Sequence, residues 1–375
     1  MVRTPSTAPL LKYVVGVDIA KDTFVACLGS LDAAQGHRFY GKPTTFPNDA
    51  AGFAALRAWV VARQEPAPAP CWYVVEATGV YYEELAYFLA DQQQSLSVLL
   101  PHKVKHFARS TQVKSKTDAL DARLLCQLGL ERQLPPWQPL TPAMRQLRFL
   151  TRERAGLRRQ ASPLKSRLHA HRHTYQPDPQ ALARLRRQLA WLDELVAEID
   201  AQLAQVVAAE PELARRLAYL TSVPGIGLVS ACIIVAETSG FALVENERQL
   251  ASYAGLDVVQ RQSGATARAT SVSKRGNARL RMALYLPAVS SLTHNVQQKA
   301  FYARIRARQP AGKVGVVAVM RKLLLLTYAL WKNEREYDPA HQPTGRLKVT
   351  PALLAQAGVT QDDPQSGGLL QENQR

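Results

Sequence analysis

The chain has 375 residues, of which 47% are hydrophobic and 21% are charged, with 47 Lys and Arg against 30 Asp and Glu. This composition is typical of a globular protein with two or three domains, and it excludes a chain too polar to form a core. The formal charge of +17 favours a polyanionic partner, with nucleic acid as the first hypothesis.

The first 130 residues are predicted to form an α/β domain. An apolar, β-branched run over 13–30, broken by a turn after Asp18, predicts a two-stranded hairpin, and 37–46 could supply a third strand. Helical spacing runs from 49 to about 63 and ends at a Pro/Ala stretch. The remaining predicted elements are a strand over 71–77, a helix over 81–93, a strand over 95–101 and a helix over 114–130. The order β-β-β-α-β-α-β-α is that of a ribonuclease H-like fold.

Four acidic residues fall at related places in this order. Asp18 lies on the first strand, Glu76 on the fourth, and Asp118 and Asp121 lie one turn apart on the last helix. Each acid alone could instead cap a turn, pair with a lysine or belong to a solvated helix face. Clustered carboxylates repel one another and raise one another's pKa, and hard cations such as Mg²⁺ remove that repulsion. Together the four acids favour a site for two Mg²⁺ ions and phosphoryl transfer.

A strongly basic helical stretch follows the acids. Between His102 and Arg172 the chain has sixteen Lys or Arg against four Asp or Glu, which is typical of phosphate-backbone binding without sequence specificity. A merely solvated basic face is the alternative. Alternate histidines at His169, His171 and His173 point in different directions on a helix, which favours nucleic-acid contact over a metal. The residues of this stretch predicted to bind nucleic acid are Lys114, Lys116, Arg158, Arg159, Lys165 and Arg167.

A second long helix follows a break at Pro177 and Pro179. Apolar residues from Leu182 to Val206 repeat in alternating steps of three and four, which predicts a coiled-coil seam. This seam could pair with the preceding basic helix as an antiparallel hairpin or with another subunit, and the sequence leaves both possibilities open.

The last third of the chain has a glycine turn and a basic loop. The Pro-Gly-Ile-Gly turn at 224–227 precedes an apolar helix and resembles the hairpin of helix-hairpin-helix modules, although it is also an ordinary loop sequence. Residues 260–281 contain no acid, and arginines beside a serine suit a nucleophile whose developing charge needs stabilising. The spacing does not choose among Ser263, Ser271 and Ser273. The residues of this loop predicted to bind nucleic acid are Arg261, Arg268, Lys274 and Arg275.

Cysteine usage and hydropathy indicate the compartment. The cysteines form no C-x-x-C pair and lie among apolar or small residues, which favours buried free thiols and a reducing cytosol. No apolar run reaches about 18 residues, and the N-terminus lacks a signal-peptide core. We therefore expect a cytoplasmic protein that does not cross a membrane. The tail from Tyr337 is rich in Gln, Pro and Gly, and we expect it to be disordered.

Six segments resemble, in the right order, the insertion-sequence-110 family of bacterial transposases, also called DEDD transposases. They are VVGVDIAKDTFVACL, YVVEATGVYYEELAYFL, VLLPHKVKHFARSTQVKSKTDALDARLL, LTSVPGIGLVSACIIVAE, YAGLDVVQRQSG and SVSKRGNARLRMALYLPA. The resemblance runs from about residue 13 to about residue 338. It implies that Asp18, Glu76, Asp118 and Asp121 bind Mg²⁺ in a RuvC-like domain.

The resemblance also implies a serine nucleophile, Ser263 of QRQSGA, in the C-terminal domain. Many family members have two serines before this glycine, whereas this chain has Gln262 and Ser263. The family forms a covalent 5′-phosphoserine bond, excises its element as a circle and inserts it into a target. A structured non-coding guide RNA from the element pairs with donor and target duplex DNA. Family members act as homo-oligomers, so a dimer or tetramer is expected, with the serine and the acids brought together from different subunits.

The domain organisation that follows has four parts. They are a RuvC-like acidic domain at 1–135, a basic helix and coiled coil at 136–212, a mostly helical transposase domain with the serine at 213–338, and the tail at 339–375. Two other functions stay open: a RuvC-like endonuclease that uses water as its nucleophile, and a nucleic-acid-binding protein without catalysis whose acids are structural.

Overall fold

The chain separates into two compact units, Met1–Pro139 and Leu140–Arg375. The computed structural model describes residues 9–64, 69–111, 117–263 and 266–340, and within these it describes residues 260–263 and 266–270 by their backbone only. The four-part division expected from the sequence stays a prediction. Most of the expected tail, from residue 341 onward, lies outside the described residues.

The first unit is a mixed β-sheet with helices on both faces. Its elements are β1 Leu10–Ile19, β2 Thr23–Asp32, β3 His37–Phe39, β4 Thr44–Pro47, α1 Ala50–Val61, β5 Cys71–Glu76, α2 Glu83–Asp91, β6 Ser95–Leu99, α3 Pro101–Ser110 and α4 Asp118–Glu131. The strand order is β3-β2-β1-β5-β6, and β4 also pairs with β2. β1, β5 and β6 are parallel, whereas β2 is antiparallel to β1. The expected α/β architecture is therefore confirmed.

One local expectation for this unit was wrong, and one helix was missed. Residues 37–46 form two short strands rather than one, because the chain turns at Gly41, where φ is +76°. Helix α3 was not expected at all, although Pro101 stands at its N-terminus and Val104 and Phe107 are buried at helical spacing.

Side chains alternate between the two faces of the sheet, as the pleat requires. Val15, Val17 and Tyr73 pack in the core that contains α1 and α2. Val14 and Val74 pack in the other core, which contains α3 and α4. Even-numbered positions of β1 and β5 therefore face α4.

The second unit is mostly helical. Its elements are α5 Pro142–Arg172, α6 Pro179–Ala209, α7 Pro211–Thr221, α8 Leu228–Thr238, α9 Glu247–Tyr253, β7 Val258–Ser263, β8 Thr266–Val272, α10 Ala278–His294, α11 Val296–Arg308 and α12 Gly312–Asn333. One continuous core joins helices α5 to α10 and α12. β7 and β8 form an antiparallel hairpin.

Helices α5 and α6 pack against each other as an antiparallel pair within one chain. Arg154 Nε lies 2.6 Å from Asp200 Oδ1, and Arg158 Nη1 lies 2.8 Å from Asp193 Oδ1, so later positions of α5 face earlier positions of α6. The seam of α6 is largely buried, with Leu182 and Leu189 only partly so. This packing is the antiparallel hairpin with the preceding basic helix, while coiled-coil geometry and pairing with another subunit stay predictions.

Among the described helices, α12 is the one long and apolar enough to cross a membrane by length and composition. Half of its most apolar stretch is buried within the chain. Val319, Leu323 and Leu324 are fully buried in the core of the second unit. A core helix satisfies the same length and composition test.

The four cysteines are free thiols, and Cys27, Cys126 and Cys232 are buried. Burial raises the pKa of the Cys71 thiol and of the Cys232 thiol to about 12. Such thiols are protonated at neutral pH and therefore unreactive.

Candidate functional site

Asp18 and Glu76 lie next to each other at the ends of two parallel strands. Val17 of β1 pairs with Val75 of β5, so the next residue of each strand is an acid. Asp18 follows Gly16 by two positions and Glu76 follows Val74 by two, which turns both acids toward the face that α4 covers. Both side chains are partly exposed.

Helix α4 brings the other two acids to the same edge of the sheet. A Cβ on Gly16 would overlap Ala122 O and Cys126 N, and a Cβ on Gly129 would overlap the side chains of Val14 and Val74. From Ala122 to Gly129, α4 therefore runs from the C-terminal part of β1 back toward its start. The first turn of α4, which carries Asp118 and Asp121, consequently lies at the edge of the sheet where Asp18 and Glu76 lie near the ends of their strands.

Polar bonds fix both ends of α4. At its start the Thr117 hydroxyl accepts a hydrogen bond from Leu120 N at 3.3 Å, which caps the helix. Toward its end Lys12 Nζ donates to Gly129 O at 2.6 Å. Burial lowers the pKa of Lys12. The ammonium group of Lys12 lies near the C-terminus of α4, where the helix dipole favours a positive charge. Two carboxylates in the first turn suit the positive end of the same dipole.

The donor set at this edge is chemically suited to a hard divalent cation, because all four side chains are carboxylates. Among the residues that the structure describes, however, no three His, Cys, Asp or Glu side chains form a group close enough to hold a metal ion. The backbone thus gathers the acids at one edge, and the side chains do not form a ligand cluster there.

Two features of this edge were missed in the sequence. Asn48 Nδ2 donates to Ala20 O at 3.0 Å and to Tyr81 O at 3.2 Å, so it ties the loop after Asp18 to the loop after Glu76. Helix α3 begins beside β6 and exposes Lys103, Lys105 and Arg109. Its cations belonged to the basic stretch noted above, but the helix itself was not expected.

The candidate nucleophile lies on the β7–β8 hairpin. Ser263 is the last residue of β7 and pairs with Thr266 of β8, so it stands at the tip of the hairpin. The side chains of Ser263, Arg261 and Arg268 lie outside the described residues. Ser271 is exposed on β8, and the Ser273 hydroxyl is hydrogen-bonded to Asp257 at the base of the hairpin. Lys274 and Arg275 are exposed just after β8.

The basic face of α5 is only partly free for nucleic acid. Arg159, Lys165 and Arg167 are exposed, whereas Arg158 is paired with Asp193 of α6. Lys114 and Lys116 lie outside the described residues. At the end of α5 the rings of His169 and His173 lie 4.4 Å apart, with His173 Nδ1 2.8 Å from His169 O.

The glycine turn before α8 has one packed and one open position. Gly225 has a φ of +103°, and a Cβ there would meet Pro287 O and Ser291 of α10. Gly227 precedes α8, where no side chain caps the helix, and a Cβ there would meet nothing within 4 Å. Gly225 is therefore required by the fold, and Gly227 leaves the start of α8 open.

Comparison with known proteins identifies related families and relatives. The IS110 DEDD model, described as a transposase, matches residues 15–177, and a model described as the transposase IS116/IS110/IS902 family matches residues 217–303. Pilin gene-inverting proteins of Moraxella lacunata and Moraxella bovis are each 31% identical over 335 residues, which cover 87% of this chain and 98% of the relative. The transposase for insertion sequence element IS1111A of Coxiella burnetii is 22% identical over 86% of this chain and 91% of the relative.

Proposed function

Because the chain belongs to the IS110 family of transposases and is therefore a DNA-acting enzyme, we propose that it excises and inserts a bacterial insertion sequence through a covalent phosphoserine bond. Ser263 Oγ attacks a DNA phosphorus and forms the 5′-phosphoserine bond. The bond from phosphorus to the 3′ oxygen breaks, and the leaving 3′ oxygen takes up a proton as a 3′-hydroxyl. Reversal of this step on another strand joins the exchanged ends.

One observation carries this proposal: Asp18, Glu76 and the first turn of α4 lie at one edge of one face of the sheet. Like charges at one edge repel one another, and a bound divalent cation offsets that repulsion. Asp18, Glu76, Asp118 and Asp121 would hold Mg²⁺, which supplies stabilisation of the charge that develops on the phosphate oxygens. The strand order β3-β2-β1-β5-β6, with β2 antiparallel, supports a RuvC-like fold for this unit.

The partners of the reaction are donor DNA, target DNA and a structured non-coding guide RNA. The exposed cations Arg159, Lys165 and Arg167 of α5 and Lys274 and Arg275 beside the hairpin support contacts to phosphates. Contacts of this kind position a duplex without reading its bases, which leaves sequence choice to pairing with the RNA. The protein acts as a dimer or tetramer in the bacterial cytoplasm.

The experiment that tests this function uses a supercoiled plasmid carrying the gene with its native flanking DNA, the purified protein, Mg²⁺ and RNA transcribed from the flanks. We expect the wild type to give a protein–DNA adduct that survives denaturation and an excised circle. Ser263→Ala should abolish both products. Asp118→Asn with Asp121→Asn should abolish them as well.

Ser271→Ala is the matched control, because Ser271 is an exposed serine of the same hairpin, and it should retain both products. Continued cleavage by Ser263→Ala would instead establish a RuvC-like endonuclease that uses water. Retained recombination by the double Asn variant would show that the acids are structural and would overturn the proposal.

Inversion of a DNA segment is a second candidate, and the two Moraxella relatives favour it because both are named pilin gene-inverting proteins. Inversion and excision use the same strand exchange and differ in the relative orientation of the two sites. Plasmids with the two flanks in direct or inverted orientation distinguish them. If excision is the natural reaction, the direct arrangement should react much faster and give circles, whereas a natural invertase should prefer the inverted arrangement and give inverted products.

A further inference from the structure

Glu237 is a buried carboxylate that no step proposed above uses. It lies near the end of α8 with only 2% of its surface exposed. Arg152 of α5 binds it through two hydrogen bonds, Nε to Oε1 at 2.8 Å and Nη2 to Oε2 at 3.1 Å. Asn277 Nδ2 donates to Oε2 at 2.8 Å, and Arg279 Nε lies 3.9 Å from Oε1. Carboxylates are rarely buried without partners, and the contacts with these three residues offset the cost of burying Glu237.

Two of the residues that contact Glu237 belong to the neck of the β7–β8 hairpin, which we define as residues 253–257 and 273–277. Tyr253 is the first residue of the first neck segment, and Asn277 is the last residue of the second. The Tyr253 hydroxyl donates to the main-chain oxygen of Glu237 at 2.8 Å. Both segments of the neck are therefore hydrogen-bonded to Glu237 of α8.

The neck itself is tightly closed. Asn277 N donates to Tyr253 O at 2.7 Å, and Lys274 N donates to Gly255 O at 3.1 Å. A Cβ on Gly276 would lie 2.5 Å from both Gly255 N and Tyr253 O, so only glycine permits this approach. The two segments of the neck are therefore held together by backbone contacts.

The same residue links the neck to the basic helix α5. Besides the Arg152 pair, Arg148 Nη2 donates to Ala236 O at 2.9 Å and to the Ser239 hydroxyl at 3.1 Å. Arg148 and Arg152, one turn apart on α5, thus bind the end of α8. Residues of the neck bind the same end of α8. Arg159, an exposed cation of α5, lies about two turns farther along the helix from Arg152.

We propose that Glu237 is a positioning residue for strand cleavage, which holds the neck of the hairpin against α5 and so fixes the serine tip relative to nucleic acid bound along α5. This inference rests on the proposed function of Ser263 for its catalytic consequence. Its structural part concerns the hairpin alone and can be measured separately.

The geometry makes the tip sensitive to small movements of the neck. The tip, Ser263, lies six residues beyond the end of the neck at Asp257, a distance of about 20 Å at about 3.4 Å per residue. A tilt of about 5° at the neck moves the tip by more than about 1 Å, and a misplacement of about 1 Å can cost about 100-fold in rate. A single buried carboxylate can therefore affect cleavage without touching DNA.

Glu237→Gln tests the inference with an isosteric change. The amide keeps one acceptor for Arg152, but its NH₂ group faces the donors Arg152 and Asn277. We expect hydrogen–deuterium exchange of the β7–β8 amides to rise by about 10-fold, while the amides of α12 keep their protection. The rate of adduct formation on the plasmid should fall by about 10- to 100-fold, with duplex affinity changed by less than about 2-fold.

Asp200→Asn is the matched control. It removes a comparable two-bond ion pair of α5, to Arg154, that lies on α6 and does not touch the neck. It should change neither hairpin exchange nor adduct formation. Tyr253→Phe is the milder variant should Glu237→Gln fail to fold, since it removes one hydroxyl bond to Glu237, and it should raise hairpin exchange by about 2- to 5-fold.

Unchanged hairpin exchange in both Glu237→Gln and Tyr253→Phe would overturn the inference, as would an equal rise in Asp200→Asn. The Ser263→Ala variant separates this outcome from failure of the proposed function. If Ser263→Ala still forms the adduct, Ser263 is not the nucleophile, yet a rise in hairpin exchange in Glu237→Gln would still establish that Glu237 holds the neck.

Discussion

Gly16 sets how closely α4 approaches the sheet, and through α4 it sets the position of two of the four acids. A Cβ at Gly16 would overlap backbone atoms of Ala122 and Cys126, which cannot rotate away as a side chain can. We expect Gly16→Ala to destabilise the protein by about 1–3 kcal/mol or more through overpacking. We also expect it to abolish plasmid cleavage, because α4 and Asp121 must move away from Asp18.

Chemical denaturation of Gly16→Ala beside Gly156→Ala checks this expectation. Gly156 lies within α5, and a Cβ there would meet nothing within 4 Å, so alanine should stabilise the protein by about 0.4–1 kcal/mol. Gly16→Ala with unchanged stability and cleavage would show that the close contact of α4 with β1 is not required.

Glu237 also makes an acid-sensitive contribution to stability. Burial raises the pKa of this carboxyl, but the hydrogen bonds from Arg152 and Asn277 outweigh burial, and the pKa in the folded protein is lower than its ordinary value. A carboxyl whose folded pKa is depressed stabilises the protein above its unfolded pKa, and that stabilisation is lost as the pH falls through the folded pKa. The stabilisation should therefore be complete at neutral pH and should decline below about pH 4.3.

Urea unfolding of the wild type and of Glu237→Gln from pH 7 to pH 3 measures this contribution. At pH 7 the variant should be less stable by about 1–3 kcal/mol, the cost of leaving buried donors poorly satisfied. The difference should shrink as the pH falls, because the wild-type carboxyl becomes protonated. A difference that is constant with pH would assign the effect to packing instead of charge.

Whole elements were predictable where a periodic pattern coincided with burial on one face. β1, β2, β5 and β6 follow from β-branched, apolar runs, and α6 follows from its apolar seam. Helix α3 was missed because its few apolar residues, Val104 and Phe107, lie among cations that suggested binding rather than packing. Strand pairing and the Glu237 cluster depend on contacts between distant segments, which no local pattern specifies.

The candidate site was predictable in part for the same reason. The acids stand at strand ends and in a helix N-terminus, positions that topology relates to one another. Asn48 gave no such signal, because its importance arises from bonds to Ala20 and Tyr81, one of which lies 33 residues away. The hairpin around Ser263 was seen only as a basic loop, because its strands alternate polar and small residues that do not form a hydrophobic pattern.

The exposed cations of α5 should contribute to nucleic-acid affinity in a salt-dependent way. If Arg159, Lys165 and Arg167 each contact one phosphate, replacing all three with glutamine removes three counterion-releasing contacts. The slope of log K against log salt for a duplex should then become shallower by about 2–3. Fluorescence anisotropy between low and moderate salt measures the slope.

Arg154→Gln is the control for this measurement. Its guanidinium is bound to Asp200 by hydrogen bonds of 2.6 and 3.0 Å, so it is not available to phosphate. We expect nearly the wild-type slope for this variant. An equal loss of slope in the control would indicate that α5 acts through overall charge rather than through its exposed face.

Charge is distributed very unevenly between the two units. Residues 1–139 contain 14 Lys and Arg and 12 Asp and Glu, a net charge of +2, whereas residues 140–375 contain 33 and 18, a net charge of +15. The unit with the four acids therefore has little attraction of its own for a polyanion. The second unit carries nearly all of the net positive charge, which attracts a polyanion.

Mixing two inactive variants tests whether each site combines residues from two copies of the chain. Ser263→Ala keeps the acids, and Asp118→Asn with Asp121→Asn keeps the serine. If each site combines the serine of one subunit with the acids of another, a mixed dimer contains one intact site. Random exchange at equal concentrations should then restore about a quarter of the wild-type adduct per subunit. A mixture of Ser263→Ala with the chain carrying all three changes should restore none, and the same result for the first mixture would place serine and acids of each site in one chain.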